Sequence, residues 1–113
     1  MSDRPRLIAV VTLQVHPAWL ALTRAERSAR VAALAPVLAR YPDVRVRWCD
    51  ADALGRGYTD FALCEFDDLL RYHSLWEELR DTPLFTTPYM ELRDALLGIE
   101  DGYRHHESQR REA

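Results

Sequence analysis

Arg45 and Arg47 stand in the run Val44-Arg45-Val46-Arg47-Trp48-Cys49, where Val44, Val46 and Trp48 alternate with the arginines and the cysteine. Successive side chains of a strand point to opposite faces, so this pattern describes one apolar face backed by one charged face. A planar guanidinium suits a carboxylate, phenolate or enolate oxygen, and the next candidate strand, Asp60 to Phe66, carries Asp60 and Glu65. If Phe61 and Leu63 face the helices, Asp60 and Cys64 share the arginine face; in the other register Glu65 shares it instead. Either way a carboxylate lies near an arginine. Such a pair holds a polar ligand group or tunes a carboxyl for proton transfer, and it equally describes a salt-bridged pair at a subunit interface. Histidine moves protons near neutral pH, and His16 follows the first apolar run on a segment placed to roof a pocket. The expected site therefore has His16, Asp60 and Glu65 as proton-transfer groups. Arg47, Trp48 and Tyr89 are its expected ligand contacts, the two rings as walls that also suit a core.

Other chemistries find little support. The sequence has no CxxC, no Cys/His cluster, no Ser-His-Asp ordering, no Gly-rich phosphate loop and no visible carboxylate dyad. His73 flanks the apolar stripe of a helix, and the adjacent His105 and His106 cannot both face one metal from a helix. Neither a metal nor a cofactor is expected.

The elements that must position these residues follow from periodicity. Arg6 to Gln14 (RLIAVVTLQ) is rich in branched residues and apolar on both faces from Leu7 to Val11, the pattern of a central strand. Val15 to Leu20 is a connection, since Pro17 disfavours helix at His16, and Trp19 and Leu20 are expected to anchor it to the core. Thr23-Arg24-Ala25-Glu26 has the form of a capping box and opens a helix. Val31, Leu34, Leu38 and Tyr41 share its inner face, and Pro36 is expected to bend it or break it about one turn earlier. With its arginines the Val44–Trp48 run reads as an edge strand, whereas the almost continuously apolar Asp60–Phe66 run reads as a strand covered on both faces. Gly55-Arg56-Gly57 supplies a reversal between them, within a loop longer than a tight turn needs. Asp67 or Asp68 caps a second helix reaching about Asp81, with Leu69, Tyr72, Trp76 and Leu79 as its buried stripe. Leu84 to Pro88 is an irregular link. Tyr89 to Leu97 reads as a strand in its first part, while its second part suits strand or helix. From Glu100 onward the chain is a charged tail or a short exposed helix.

At 113 residues, 48% hydrophobic and 29% charged, the chain is expected to be one ordinary globular domain, with a core from about residue 6 to 99. A net charge of −3 offers no footprint for nucleic acid. No apolar run approaches the length of a membrane span, and the opening Met1-Ser2-Asp3-Arg4-Pro5 lacks the apolar region of a signal peptide. A cytoplasmic location is expected, and with it reduced thiols at Cys49 and Cys64, whose proximity depends on the hairpin register. The element order β-α-β-β-α-β is that of a ferredoxin-like α+β fold: a four-stranded antiparallel sheet with two helices on one face. Two helices cover one face only, yet the central strands are apolar on both. A homodimer through the open face, of the dimeric α+β barrel type, is the expected solution.

Several segments together resemble the darcynin family. Pro17 to Arg27 (PAWLALTRAER) is similar to its PxWLxLxxxER segment. Leu38-Ala39-Arg40-Tyr41-Pro42-Asp43-Val44, Trp48-Cys49-Asp50-Ala51-Asp52, Thr59-Asp60 and Leu79-Arg80-Asp81-Thr82-Pro83 also match. The likeness runs from about residue 7 to 105; it implies the same fold and carries no catalytic signature. Cys49 and Cys64 stand where the family pattern has aromatic residues, and His16 where it has a small polar one. Three functions fit the sequence: a cofactor-free enzyme acting on a small apolar or aromatic metabolite, a non-catalytic small-ligand binder, and an interaction protein that only dimerises. A cavity with titratable groups points to the first, a cavity without them to the second, and a filled core to the third.

Overall fold

Apolar residues at every second position of two strands decide the architecture. In the computed structural model, which describes residues 4–52, 54–55 and 57–112, β1 (Leu7–Val15) buries Ala9, Val11 and Leu13. Antiparallel to it, β3 (Asp60–Phe66) buries Ala62, Cys64 and Phe66. Ala9 lies opposite Cys64 and Val11 opposite Ala62, so the buried residues of both strands share one face. β2 (Arg45–Asp50) flanks β3 and β4 (Met90–Ile99) flanks β1, giving the order β2-β3-β1-β4 with all neighbours antiparallel. This is the expected ferredoxin-like α+β sheet, with the arginine-bearing strand at an edge.

The helical layer covers the face that carries Ala9, Val11, Ala62 and Cys64. After α1 (Pro17–Leu20), α2 (Arg24–Ala32) opens on a complete capping box: Thr23 Oγ1 accepts from the Glu26 amide at 3.1 Å, and the Glu26 carboxylate accepts from the Thr23 amide at 2.8 Å. Pro36 lacks the amide that would continue this helix, and α3 (Ala35–Ala39) starts afresh with the proline in its first turn. The break changes the helical phase. Leu34 and Val37 are buried, Leu38 only partly, and Val31, expected inside, is 51% exposed. Asp68 caps α4 (Leu69–Arg80), accepting from the Leu70 and Arg71 amides at 3.0 and 3.2 Å. Leu75, Trp76 and Leu79 fill its inner face, while Leu69, at the first helical position, stays outside. Polar contacts tie α3 to α4: Arg71 spans Asp43 at 2.8 Å and stacks over the Tyr41 ring, and Glu78 takes both Arg40 and the Tyr41 hydroxyl. Tyr41 and Arg40 hold the Glu78 carboxyl below its ordinary range, and Arg71 does the same for Asp43.

One helical turn, α5 (Pro83–Thr86), leads to β4, which runs as a strand to Ile99. Pairing with β1 along its length overrides the helix-compatible pattern of its second part. The charged C-terminal stretch is helical, as α6 (Gly102–Glu112), and none of its described side chains is buried. Cys64 faces the helices, and burial pushes its thiol up to about 11. Cys49, opposite Phe61, faces the other way, so the two thiols lie on opposite faces. Gly57 takes the left-handed conformation (φ 85°) expected of the loop reversal, whose Arg56 lies outside the described residues. Replacing the fully buried Leu79 with Ala is expected to cost about 2–5 kcal/mol, measurable by urea denaturation; a loss well under 1 kcal/mol would place this side chain outside the core.

Candidate functional site

β1 and β2 end, and β3 begins, at the same end of the sheet. There α1 and the loop residues Asp52, Leu54 and Thr59 line an open cleft of about 620 Å³, within the size range of small-molecule sites. Its walls are mostly apolar: Val15, Pro17, Trp19, Leu20 and Leu54 contribute, and Leu20 is 67% exposed into it, not anchored in the core as expected. Asp50, Asp52 and Asp60 supply the charge, and none of the described lining residues is basic.

Local structure explains how Asp60 is held. Thr59 stitches the loop to β1: its amide donates to the Leu13 carbonyl at 3.2 Å, and its Oγ1 accepts from the Val15 amide at 2.8 Å. The Thr59 carbonyl accepts from the Ala51 amide at 2.8 Å, closing the base of the loop. With Thr59 fixed, Asp60 opens β3 directly opposite Asp50 on β2 and opposite Leu13 on β1. Residues so opposed share a face at short range, and like charges there repel. Burial beside apolar neighbours pushes the Asp60 carboxyl above its ordinary value, and hydrogen bonding and repulsion from Asp50, with Asp52 behind it, push the same way; the Thr59 hydroxyl acts against them. The result is a carboxyl at Asp60 that takes up a proton more readily than an ordinary aspartate, set beside a second carboxylate.

The other expected site residues do not converge on this cleft. Arg47 and Glu65 share a face, as one of the two registers requires, and form an ion pair on the open side of the sheet. Trp48 points to the helix side and meets Trp76 edge-on, with centroids 6.1 Å apart. Tyr89 packs against Trp19 at 5.9 Å, the Trp19 ring itself lining the cleft. His16 Nε2 lies 3.7 Å from Glu91 Oε2, and its amide donates to the Tyr89 carbonyl at 2.8 Å. Sequence reading singles out Asp60 but misses Asp50, and so sees no dyad. The pairing is visible only once the hairpin register is known, because Asp50 and Asp60 are separated by a loop of irregular length. Among the described residues, no group of His, Cys, Asp and Glu is arranged to hold a metal ion.

Comparison with known proteins places this geometry in context. The profile of Darcynin, a domain of unknown function, matches residues 1–112. The Darcynin of Chromobacterium violaceum is 42% identical over 74 residues, 66% of this chain and 94% of that protein. A Darcynin homolog of Streptomyces avermitilis is 36% identical over 104 residues, covering 90% of this chain and 85% of that one. Among solved structures, a chlorite dismutase from Candidatus Nitrospira defluvii in complex with imidazole superposes with a TM-score of 0.75 at 14% identity. The match takes in 87% of this chain but 41% of that one, so the chain spans well under half the length of that enzyme, and the likeness is one of fold.

The raised Asp60 pKa has a consequence for stability. A carboxyl whose pKa is higher folded than unfolded adds stability that is complete below the unfolded pKa and is lost as pH rises through the folded one. Asp60→Asn removes that loss. Its melting temperature is expected to exceed that of the parent at pH 7, with the difference fading as pH falls below the ordinary aspartate value of 3.8. Equal melting temperatures across this range would show that Asp60 titrates unperturbed.

Proposed function

The chain belongs to the Darcynin family, and we propose that it is a small-ligand protein that exchanges a proton with an apolar or aromatic metabolite in this cleft, without a cofactor. The observation that carries the reading is the apposition of Asp60 and Asp50 in a largely apolar cleft. A carboxyl that takes up a proton readily is suited to donate it to a ligand atom, and the carboxylate beside it to accept one, provided each reaches hydrogen-bond distance. Trp19 offers a ring face, and the exposed Leu20 and Leu54 offer apolar contact beside it. The acidic lining disfavours an anionic ligand, so the class that fits is a neutral phenol or enolisable carbonyl, or an aromatic amine.

The Arg47–Glu65 pair then serves assembly. On the open face Ile8, Val10, Phe61 and Leu63 are only half-buried, and α3, α4 and α5, which bury their apolar residues in the core, pack on the other side. Two such faces packed together make a homodimer of the dimeric α+β barrel type, with the ion pair at the rim. A cytoplasmic setting suits thiols that lie on opposite faces of the sheet and cannot bridge. No helix among the described residues is long and apolar enough to cross a membrane. The apolar open face also favours a second reading, a protein whose work is dimerisation alone.

Titration of a panel of phenols, aromatic amines and aromatic acids, followed by tryptophan fluorescence, separates these readings. Phenols or amines are expected to bind, with affinity reduced about tenfold or more by Asp60→Asn, the scale of a hydrogen bond to a charged group, and unchanged by Arg47→Met. Deuterium exchange into a bound enolisable ligand would mark catalysis, and binding without exchange a carrier. If no compound binds, or Asp60→Asn binds equally well, the cleft is not the site. For assembly, light scattering is expected to give at least twice the 13.1 kDa chain mass; a monomer at micromolar concentration would contradict it.

A further inference from the structure

β4 is an edge strand with much unused surface. Leu96, Leu97 and Ile99 are 66%, 54% and 55% exposed, and no residue from Leu92 to Ile99 is buried. The Glu100 amide donates to the Arg6 carbonyl at 2.8 Å, next to the Leu7–Ile99 pair. Hydrogen-bonded and non-bonded pairs alternate along an antiparallel ladder, so Gly98, Leu96 and Asp94 turn their backbone groups toward β1. Those of Ile99, Leu97 and Ala95 face the free edge. The Ala95 amide bears this out, since it is held by the Asp94 carboxylate at 2.8 Å instead of by β1. Edges are ordinarily shortened, charged, bulged or covered. Here the only irregularity in pairing with β1 falls near Arg93, and the three outward-facing residues beyond it are apolar.

We propose that β4 pairs edge to edge with β4 of a second copy of this chain, antiparallel about a two-fold axis at Leu97, joining two sheets into one. The backbone selects that centre. It sets Leu97 opposite its own copy and Ala95 opposite the partner's Ile99, so all three regular outward-facing residues find partners. A centre at Leu96 would have to use the irregular Arg93. Charge is balanced in this register: Arg93 comes beside the partner's Asp101 and Asp94 beside the partner's Glu100, so the backbone and the apolar residues select the centre. The projecting C-terminus supplies a third argument. The radius of gyration is 16.7 Å and the longest extent 59 Å, against about 13 Å for the radius of a compact chain of this length. Antiparallel pairing lays α6, with Arg104 and Arg110, beside the start of the partner's β4. There Glu77, Asp81 and Glu91, with the single basic residue Arg80 among them, line a groove floored by Phe85 and Met90. Leu97 points to the helix side, so this contact is separate from the open-face dimer, and the two together link four chains or more.

The test is a cross-link. In a Cys49→Ser background, Leu97→Cys places two thiols across the axis, where opposed α-carbons about 5.5 Å apart suit a disulfide. Under mild oxidation it is expected to become a covalent dimer on a non-reducing gel about tenfold faster than Leu70→Cys, an exposed control on α4, because pairing raises the effective thiol concentration. Light scattering gives an independent reading. Ala95→Pro removes an outward-facing amide while sparing the β1 ladder, and is expected to reduce the assembly mass to that of two chains; Asp94→Ala, which frees that amide, is expected to strengthen association. Cross-linking of Leu97→Cys no faster than Leu70→Cys, or an unchanged mass for folded Ala95→Pro, overturns the proposal while leaving the open-face contact to its own test.

Discussion

Ala62, Cys64 and Phe66 are held against the helices, and because side chains alternate along a strand, that burial fixes where every other residue of β3 points. Phe61, Leu63 and Glu65 go to the open face, and Asp60 goes with the core residues. A one-residue slip would bring Glu65 and Leu63 inward and expose the whole buried set, so the register has no near alternative. The cleft carboxylate and the open-face ion pair are thus two outcomes of one packing constraint.

That constraint brings a local electrostatic cost. Asp50 and Asp60 are cross-strand neighbours of like charge, beside the fully buried Leu13. Nothing in sheet formation calls for two carboxylates there, and folded proteins concentrate such conflicts at functional sites. Thr59 keeps the arrangement in place, because its hydrogen bonds to Leu13 and Val15 fix the entry to β3 independently of the charges.

The fold was legible because its determinants are local. The alternation around Arg45 and Arg47 marks an edge strand, the branched run in Leu7–Val11 marks a central one, and Thr23 and Asp68 announce their helices by capping chemistry. Burial within helices was less legible. Val31 lies outside because Pro36 forces a restart that shifts the phase, and Leu20 lines a cleft that forms only when α1 and the hairpin loop stand apart. The geometry of the candidate cleft was half legible. Asp60 stands out as a carboxylate at the head of an apolar strand, but its pairing with Asp50 depends on a register set by long-range burial. Arg47, His16, Trp48 and Tyr89 have suitable chemistry, and each is drawn elsewhere by a nearer contact: Glu65, Glu91, Trp76 and Trp19.

The central claim is that Asp50 and the surrounding apolar wall keep the Asp60 carboxyl ready to hold a proton. Carbon-13 NMR titration of the aspartate carboxyl carbons reads this directly, with Asp60 assigned by its loss in Asp60→Asn. The account predicts a midpoint for Asp60 clearly above the ordinary 3.8, moving down when Asp50 is replaced by Asn. A midpoint at or below the ordinary value, or one indifferent to Asp50→Asn, would contradict it.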